Sequence, residues 1–147
     1  MKKIAVISDI HSNIFALDAV LEDIKSKNVE MIVNLGDSLL GPVDPVNTAK
    51  RLMMVDNIVN IMGNGDEKLL QNEISSPTAK YVKSMLDEET LEWLKTFKRQ
   101  WIYENILFCH GSPSGLKCIR KTRFSRDEPL LESSRSFLYN RRALAGS

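Results

Sequence analysis

Three short apolar runs, each followed by a cluster of small polar residues, constrain the fold of this chain more than any other feature. The runs are Ile4–Ile7, Met31–Leu35 and Ile58–Met62. Continuous apolar stretches of this length that are rich in β-branched residues are typical of strands buried on both faces. Such strands occur in parallel sheets that are covered by helices, so the pattern predicts an α/β fold.

The segments that follow these runs have helical features. The first carries an apolar stripe at helical spacing, made of Ala16, Leu17, Val20, Leu21 and Ile24, which completes a βαβ unit. Asp44, Ser76 and Asp87 are typical N-cap residues and predict three further helices. Trp101–Tyr103 and Ile106–Cys109 predict a β-hairpin. The predicted order is therefore β-α-β-α-β-α-α-β-β.

Polar clusters follow four of the predicted strands, at residues 8–13, 36–38, 63–66 and 110–113. In open α/β sheets the ligand crevice lies outside the carboxyl ends of the strands. We therefore expect the four clusters to converge on one site. Asp9 and His11 are two residues apart, so in an extended backbone both side chains point the same way and can chelate one ion. For an isolated Asp-x-His pair the favoured explanation is a loop aspartate that caps the next helix, beside a solvent-exposed histidine.

The other clusters offer further ligands. Asp37 follows Gly36, and its two carboxylate oxygens can bridge two cations. Asn64 offers a neutral amide oxygen, and His110 an imidazole. Each has a structural alternative: an ordinary turn aspartate, a tight turn between glycines, and a hydrogen-bonded histidine at the edge of the core.

Taken in order, the motifs D-x-H-x-N, G-D, G-N-x-D and H-G-S-P over residues 1–115 resemble those of the calcineurin-like metallophosphoesterases, in particular their small bacterial and archaeal phosphodiesterase branch. The resemblance implies an α/β/β/α sandwich with two divalent transition metal ions, manganese first and iron, zinc or nickel as alternatives. It also implies the ligand sets: Asp9, His11 and Asp37 for one ion, and Asp37, Asn64 and His110 for the other.

The sequence departs from the family pattern in two places. His11 and His110 are the only histidines, so the usual C-terminal G-H-T-H motif is absent. We therefore expect a fold truncated at the C-terminus, with weaker metal binding and low activity. Gly65 stands where many members carry a histidine that protonates the leaving group. In this chain the proton would come from water or from Asp66, which is therefore the candidate catalytic residue. The absence of the histidine favours a phosphodiester over a monoester as substrate.

Charge divides the chain near residue 116. Residues 1–116 hold 12 Lys and Arg against 16 Asp and Glu, a net charge of −4, whereas residues 117–147 hold 8 against 3, a net charge of +5. We predict a metallophosphoesterase-like domain over 1–116 and an atypical basic tail over 117–147. A helix is predicted in this tail, with Leu130, Leu131, Ser134, Phe137 and Leu138 on one face. The arginines are scattered without aromatic interleaving, which disfavours nucleic-acid binding.

The leading hypothesis is a metal-dependent phosphoesterase that uses a metal-bridging hydroxide on a phosphate ester, with nucleotide-like substrates as one option. The alternative is a non-catalytic binding module built on an incomplete fold. A metal-free nucleotide-binding domain is disfavoured because no P-loop or G-x-G-x-x-G motif is present. We expect a cytoplasmic protein without membrane segments, with Cys109 and Cys118 as free thiols and with self-association into a homo-oligomer.

Overall fold

A computed structural model describes residues 3–112 and the strand at 136–140. Within those residues eleven elements follow one another: β1 (Ile4–Ile7), α1 (Ile14–Ser26), β2 (Met31–Asn34), α2 (Pro45–Met53), β3 (Ile58–Asn60), α3 (Asn64–Leu69), α4 (Pro77–Met85), α5 (Glu88–Lys95), β4 (Gln100–Tyr103), β5 (Ile106–His110) and β6 (Ser136–Asn140).

The first sheet is parallel, in the order β1-β2-β3. Val33 in β2 pairs with Val6 on one side and with Val59 on the other. Helices α1 and α2 cover one face of this sheet, where Leu17, Leu21, Ile32 and Leu52 form a buried cluster. Because helical crossovers connect them, the three strands run in the same direction and have their carboxyl ends at one edge of the sheet.

The second sheet is antiparallel, in the order β4-β5-β6, and packs on the other face of the first. Phe108 of β5 forms one buried cluster with Val33, Leu35 and Ile61, and Trp101 packs against it. A parallel bridge between Ile61 and Lys98 also joins the segment that follows β3 to the segment that precedes β4. Helices, parallel sheet and antiparallel sheet thus supply three layers of the predicted sandwich, and the predicted α/β fold is confirmed.

The helix starts follow the predicted caps. The side chains of Asp44, Ser76 and Asp87 each accept a hydrogen bond from the backbone N–H three residues further on. Two predicted strands are slightly too long, because β2 ends at Asn34 and β3 at Asn60. The two predicted hairpin strands are each one residue too short, because β4 begins at Gln100 and β5 ends at His110. The hairpin forms as predicted, with Trp101 opposite Phe108.

One helix was not predicted. Residues Asn64–Leu69 form α3, although the glycines at 63 and 65 indicated only a tight turn. Asp66 favours this helix because its carboxylate accepts the backbone N–H of the N-cap residue Gly63, which is one half of a capping box.

The predicted tail helix is wrong where the structure describes it. Phe137 and Leu138 lie in strand β6, whose backbone pairs with β5 from Ser136 opposite His110 to Asn140 opposite Ile106. Pairing supplies hydrogen bonds that satisfy the otherwise open edge of β5, which a helix here would not do. The rest of the predicted helix lies outside the described residues. The division of the chain at residue 116 stays a prediction.

Candidate metal centre

The polar loops that follow β1 and β2 lie side by side. The backbone N–H of Asp9 donates to the carbonyl of Gly36 over 2.9 Å, and that of His11 donates to the carbonyl of Asp37 over 3.0 Å. A third bond joins the Ser12 N–H to the Ser38 carbonyl over 2.9 Å. These backbone bonds bring the first two polar clusters together, as the sequence predicted.

The backbone of these loops is left-handed at four non-glycine residues. The φ angles are 54° at Asp9, 47° at His11, 62° at Ser12 and 54° at Asp37. The expectation that Asp9 and His11 continue an extended strand is therefore wrong, because the loop turns to follow its neighbour. Non-glycine residues rarely adopt this conformation, and strained residues of this kind concentrate at functional sites.

The side chains of Asp9, His11 and Asp37 nevertheless converge. One ligand atom from each lies within 4.8 Å of the other two. Nε2 of His11 is 3.8 Å from Oδ1 of Asp9 and 3.9 Å from Oδ2 of Asp37. Two ligands at about 2.1 Å from a shared ion lie about 3 to 4 Å apart, so these distances fit one cation. Nδ1 of His11 donates to the carbonyl of Leu40 over 2.9 Å, which directs the Nε2 lone pair towards the carboxylates.

A second group of acceptors meets on the other side of Asp37. Nε2 of His110 is 3.7 Å from Oδ1 of Asp37 and 3.1 Å from Oδ1 of Asn64. Nδ1 of the same histidine donates to the carbonyl of Leu35 over 2.8 Å. With the proton on Nδ1, the lone pair of Nε2 faces Oδ1 of Asp37 and the side-chain amide of Asn64, and imidazole, carboxylate and amide oxygen together can bind a cation. The donor set therefore fits a metal ion here as well.

Asp37 connects the two groups. Its side chain is buried, with Oδ2 facing His11 and Oδ1 facing His110. The backbone N–H of Gly65 also donates to Oδ1 over 2.6 Å, which fixes the orientation of the carboxylate. A carboxylate that presents one oxygen to each of two imidazoles has the geometry of a bridging ligand.

Asp66 lies behind these groups and is fully buried. Its Oδ1 accepts the backbone N–H groups of Ser38 (2.9 Å) and Leu39 (3.1 Å), and its Oδ2 accepts that of Gly63 over 3.2 Å. Burial raises the pKa of Asp66 to about 6, against the opposing effect of these N–H donors. A catalytic role for Asp66 stays a prediction, and its complete burial favours a positioning role.

Comparison with known proteins identifies the family. The sequence model of the calcineurin-like phosphoesterases matches residues 2–143. The chain belongs to this family. An uncharacterized protein from Methanocaldococcus jannaschii is 36% identical over 122 residues, which cover 75% of this chain and 49% of the relative. The crystal structure of a metallophosphoesterase from Sphaerobacter thermophilus superposes with a TM-score of 0.66 at 26% identity, over 76% of this chain and 47% of that one. The chain thus spans about half the length of the proteins it matches.

Two supporting residues of this calcineurin-like fold were missed by the sequence analysis. The Asn34 amide nitrogen donates to Oγ of Ser38 (2.8 Å) and to Oδ1 of Asn60 (3.0 Å), and its oxygen accepts the Gly36 N–H over 3.2 Å. Ser12 is also buried and donates its hydroxyl to the carbonyl of Leu39 over 2.5 Å. The available signal was Asn34 itself, a polar residue at the end of a fully apolar strand.

Cys109 lies beside the site in β5 as a free, buried thiol, as predicted, and burial raises its pKa, which disfavours the thiolate. Cys118 lies outside the described residues. Among the helices that the structure describes, none is long and apolar enough to cross a membrane.

Proposed function

We propose that this chain is a metal-dependent phosphoesterase that acts on phosphodiesters in preference to monoesters. The observation that carries the proposal is the placement of Asp37, whose two carboxylate oxygens face His11 and His110 separately. Two divalent ions held there would lower the pKa of a coordinated water and neutralise the phosphoryl oxygens of a substrate.

The chain would hold the two ions with the residues that the motifs indicate. Asp9, His11 and Asp37 form the first ligand set, and Asp37, Asn64 and His110 form the second. Carboxylate, imidazole and amide ligands suit Mn²⁺ best, with iron, zinc and nickel as alternatives. The backbone carbonyls of Leu40 and Leu35 accept hydrogen bonds from Nδ1 of His11 and of His110, which leaves Nε2 of each histidine available to bind a metal ion.

Two features support a phosphodiester, including a nucleotide-like one, as substrate. Position 65 provides only a backbone N–H, so no side chain there donates a proton to a poor leaving group, and we propose water for this step. The side chain of His11 is 47% exposed, which leaves the first ligand set open to a substrate.

A non-catalytic binding module remains the second candidate. The described residues offer only three ligands to each ion, and ions held by few protein ligands are retained less tightly. A protein that does not retain two ions and shows no turnover would favour this function.

The test is hydrolysis of bis(p-nitrophenyl) phosphate by protein purified without chelator and supplied with Mn²⁺. We expect turnover by the wild type and a loss of about 100-fold or more in Asp37→Asn, because outer-shell changes alone commonly cost 10–100-fold. Asp18→Asn is the matched control, since this exposed aspartate pairs with Arg51 away from the site. Absence of turnover refutes the phosphoesterase and supports the non-catalytic binding module, as does failure to bind metal, because the phosphoesterase requires both ions.

A further inference from the structure

The carboxylate of Asp66 joins the two loops that carry Asp37 and Asn64, two of the three proposed ligands of the second ion. Its Oδ1 receives the N–H groups of Ser38 and Leu39, which directly follow Asp37. Its Oδ2 receives the N–H of Gly63, which directly precedes Asn64. One buried side chain therefore bonds to the immediate neighbours of both ligands.

The same two loops are in close backbone contact. A Cβ at Gly36 would lie 2.5 Å from the Gly63 nitrogen, and a Cβ at Gly65 would lie 3.0 Å from Oδ1 of Asp37. At such separations a small shift of one loop changes the distance between the two ligands. The carboxylate of Asp66 thus holds the loops in register together with the bond from the Gly65 N–H to Oδ1 of Asp37.

We infer that Asp66 is a positioning residue, which sets the distance between Asp37 and Asn64 and so the affinity of the second metal position. This inference rests on the proposed function, and it assigns Asp66 a role other than proton donation. Buried and bonded through both oxygens, Asp66 is placed to act on substrate only through the ligands that it orients.

The chemistry of the three donors defines a selective variant. In Asp66→Asn the side-chain oxygen still accepts the N–H groups of Ser38 and Leu39. The amide nitrogen then faces the N–H of Gly63, and two donors cannot bond to each other. The substitution therefore breaks the link to the Asn64 loop and leaves the link to the Asp37 loop intact.

The experiment is calorimetric titration of metal-free protein with Mn²⁺. We expect the wild type to bind two ions and Asp66→Asn to bind the first with nearly unchanged affinity and the second about 10–100-fold more weakly, the usual range for outer-shell changes. Asp87→Ala is the matched control, because Asp87 likewise accepts a backbone N–H at a helix start but lies on α5. The control should be less stable to heat and should bind both ions as the wild type does.

A second readout needs no metal. Amide hydrogen exchange at Gly63 should be faster in metal-free Asp66→Asn than in the wild type, and unchanged in Asp87→Ala. Two tight ions in Asp66→Asn would overturn the inference and leave the proposed function standing. If Asp66→Asn and the control both lost affinity for the two ions to the same extent, the role of Asp66 would be purely structural and the inference would be wrong. A wild type that binds no metal refutes the proposed function, and Gly63 exchange then decides whether Asp66 holds the loops.

Discussion

The backbone N–H of Gly65 donates to Oδ1 of Asp37 over 2.6 Å. Position 65 therefore contributes to the site through its backbone. A side chain there would begin 2.9 Å from Cβ of Leu40, so the space that a histidine would need is already filled. Leu40 occupies the space in which a proton-donating side chain at position 65 would lie, so glycine at this position and the packing of Leu40 depend on each other.

The first prediction concerns the leaving group. Gly65→His alone should not raise the turnover of a monoester, because the new side chain would clash with Leu40. The double variant Leu40→Gly/Gly65→His removes the Leu40 Cβ that blocks position 65. It should raise turnover of a monoester such as phenyl phosphate by about 10²-fold or more, the usual contribution of a positioned general acid. Leu40→Gly alone is the control. A double variant no faster than this control would show that position 65 does not reach the leaving group.

The second prediction concerns metal stoichiometry. Asp37→Asn should lose both ions, since Asp37 is the only ligand that the two sets share, whereas His11→Ala should keep about one ion per chain. Calorimetric titration of the metal-free variants with Mn²⁺ measures both values. Two ions retained by Asp37→Asn would contradict the bridging assignment.

The third prediction concerns stability in acid. Hydrogen bonds from the Thr90 side chain and backbone lower the pKa of Asp87 from its ordinary value of 3.8. A carboxyl with a lowered folded pKa stabilises the fold above pH 3.8 and loses that contribution as the pH falls through the folded pKa.

Asp87→Ala should therefore melt below the wild type at pH 7, and the gap in Tm should narrow below pH 3.8. Ser76→Ala removes a cap that does not titrate, so its gap from the wild type should stay constant across the same range. Circular dichroism melts from pH 2.5 to 7 measure both. An Asp87→Ala gap that is independent of pH would refute the assignment.

The fourth prediction concerns self-association. β1 is an edge strand of the first sheet in the described part of the chain, and Val6 on it is 39% exposed, with Phe15 and Val20 exposed nearby on α1. Open apolar edges favour pairing between copies. We expect light scattering to report a homo-oligomer that dissociates on dilution, and Val6→Lys to shift it towards monomer. Glu22→Lys changes the charge in the same direction and by twice as much on the exposed side of α1, and it should leave the oligomer intact.

Metal retention belongs to the same dilution series. With three protein ligands per ion, we expect both ions to be lost on prolonged dialysis of the wild type. A monomer that keeps two ions through dialysis would contradict the predictions of weak binding and of self-association together.

The sequence was sufficient for the parts of the fold that depend on local chemistry. Apolar runs located β1, β2 and β3, and the side chains of Asp44 and Asp87 marked helix starts because capping is a local interaction. Helix α3 was missed because its N-cap residue, Gly63, has no side chain to mark the helix start. The capping side chain is that of Asp66, inside the helix, which accepts the Gly63 backbone N–H. Strand β6 was missed because Phe137 and Leu138 fit a helical stripe equally well, and pairing with the distant β5 decides between the two.

The site was predictable in composition but not in geometry. The strand ends placed Asp9, His11 and Asp37 together, because parallel strands open onto one edge. The left-handed backbone was not predictable, since it follows from hydrogen bonds between loops about 27 residues apart in sequence. The burial of Asp66 likewise depends on Ser38 and Leu39, which no local pattern connects to it.

The placement of His110 has a consequence for the order in which the protein assembles. Of the proposed ligands, His110 alone comes from the second sheet, and it binds the Leu35 carbonyl 75 residues away in sequence. Contacts of such long range form late, after the entropy of closing a long loop has been overcome. The first ligand set can form once β1 and β2 have paired, whereas the second requires both sheets to have docked. The moment at which the second ion binds during refolding would therefore report when the two sheets dock.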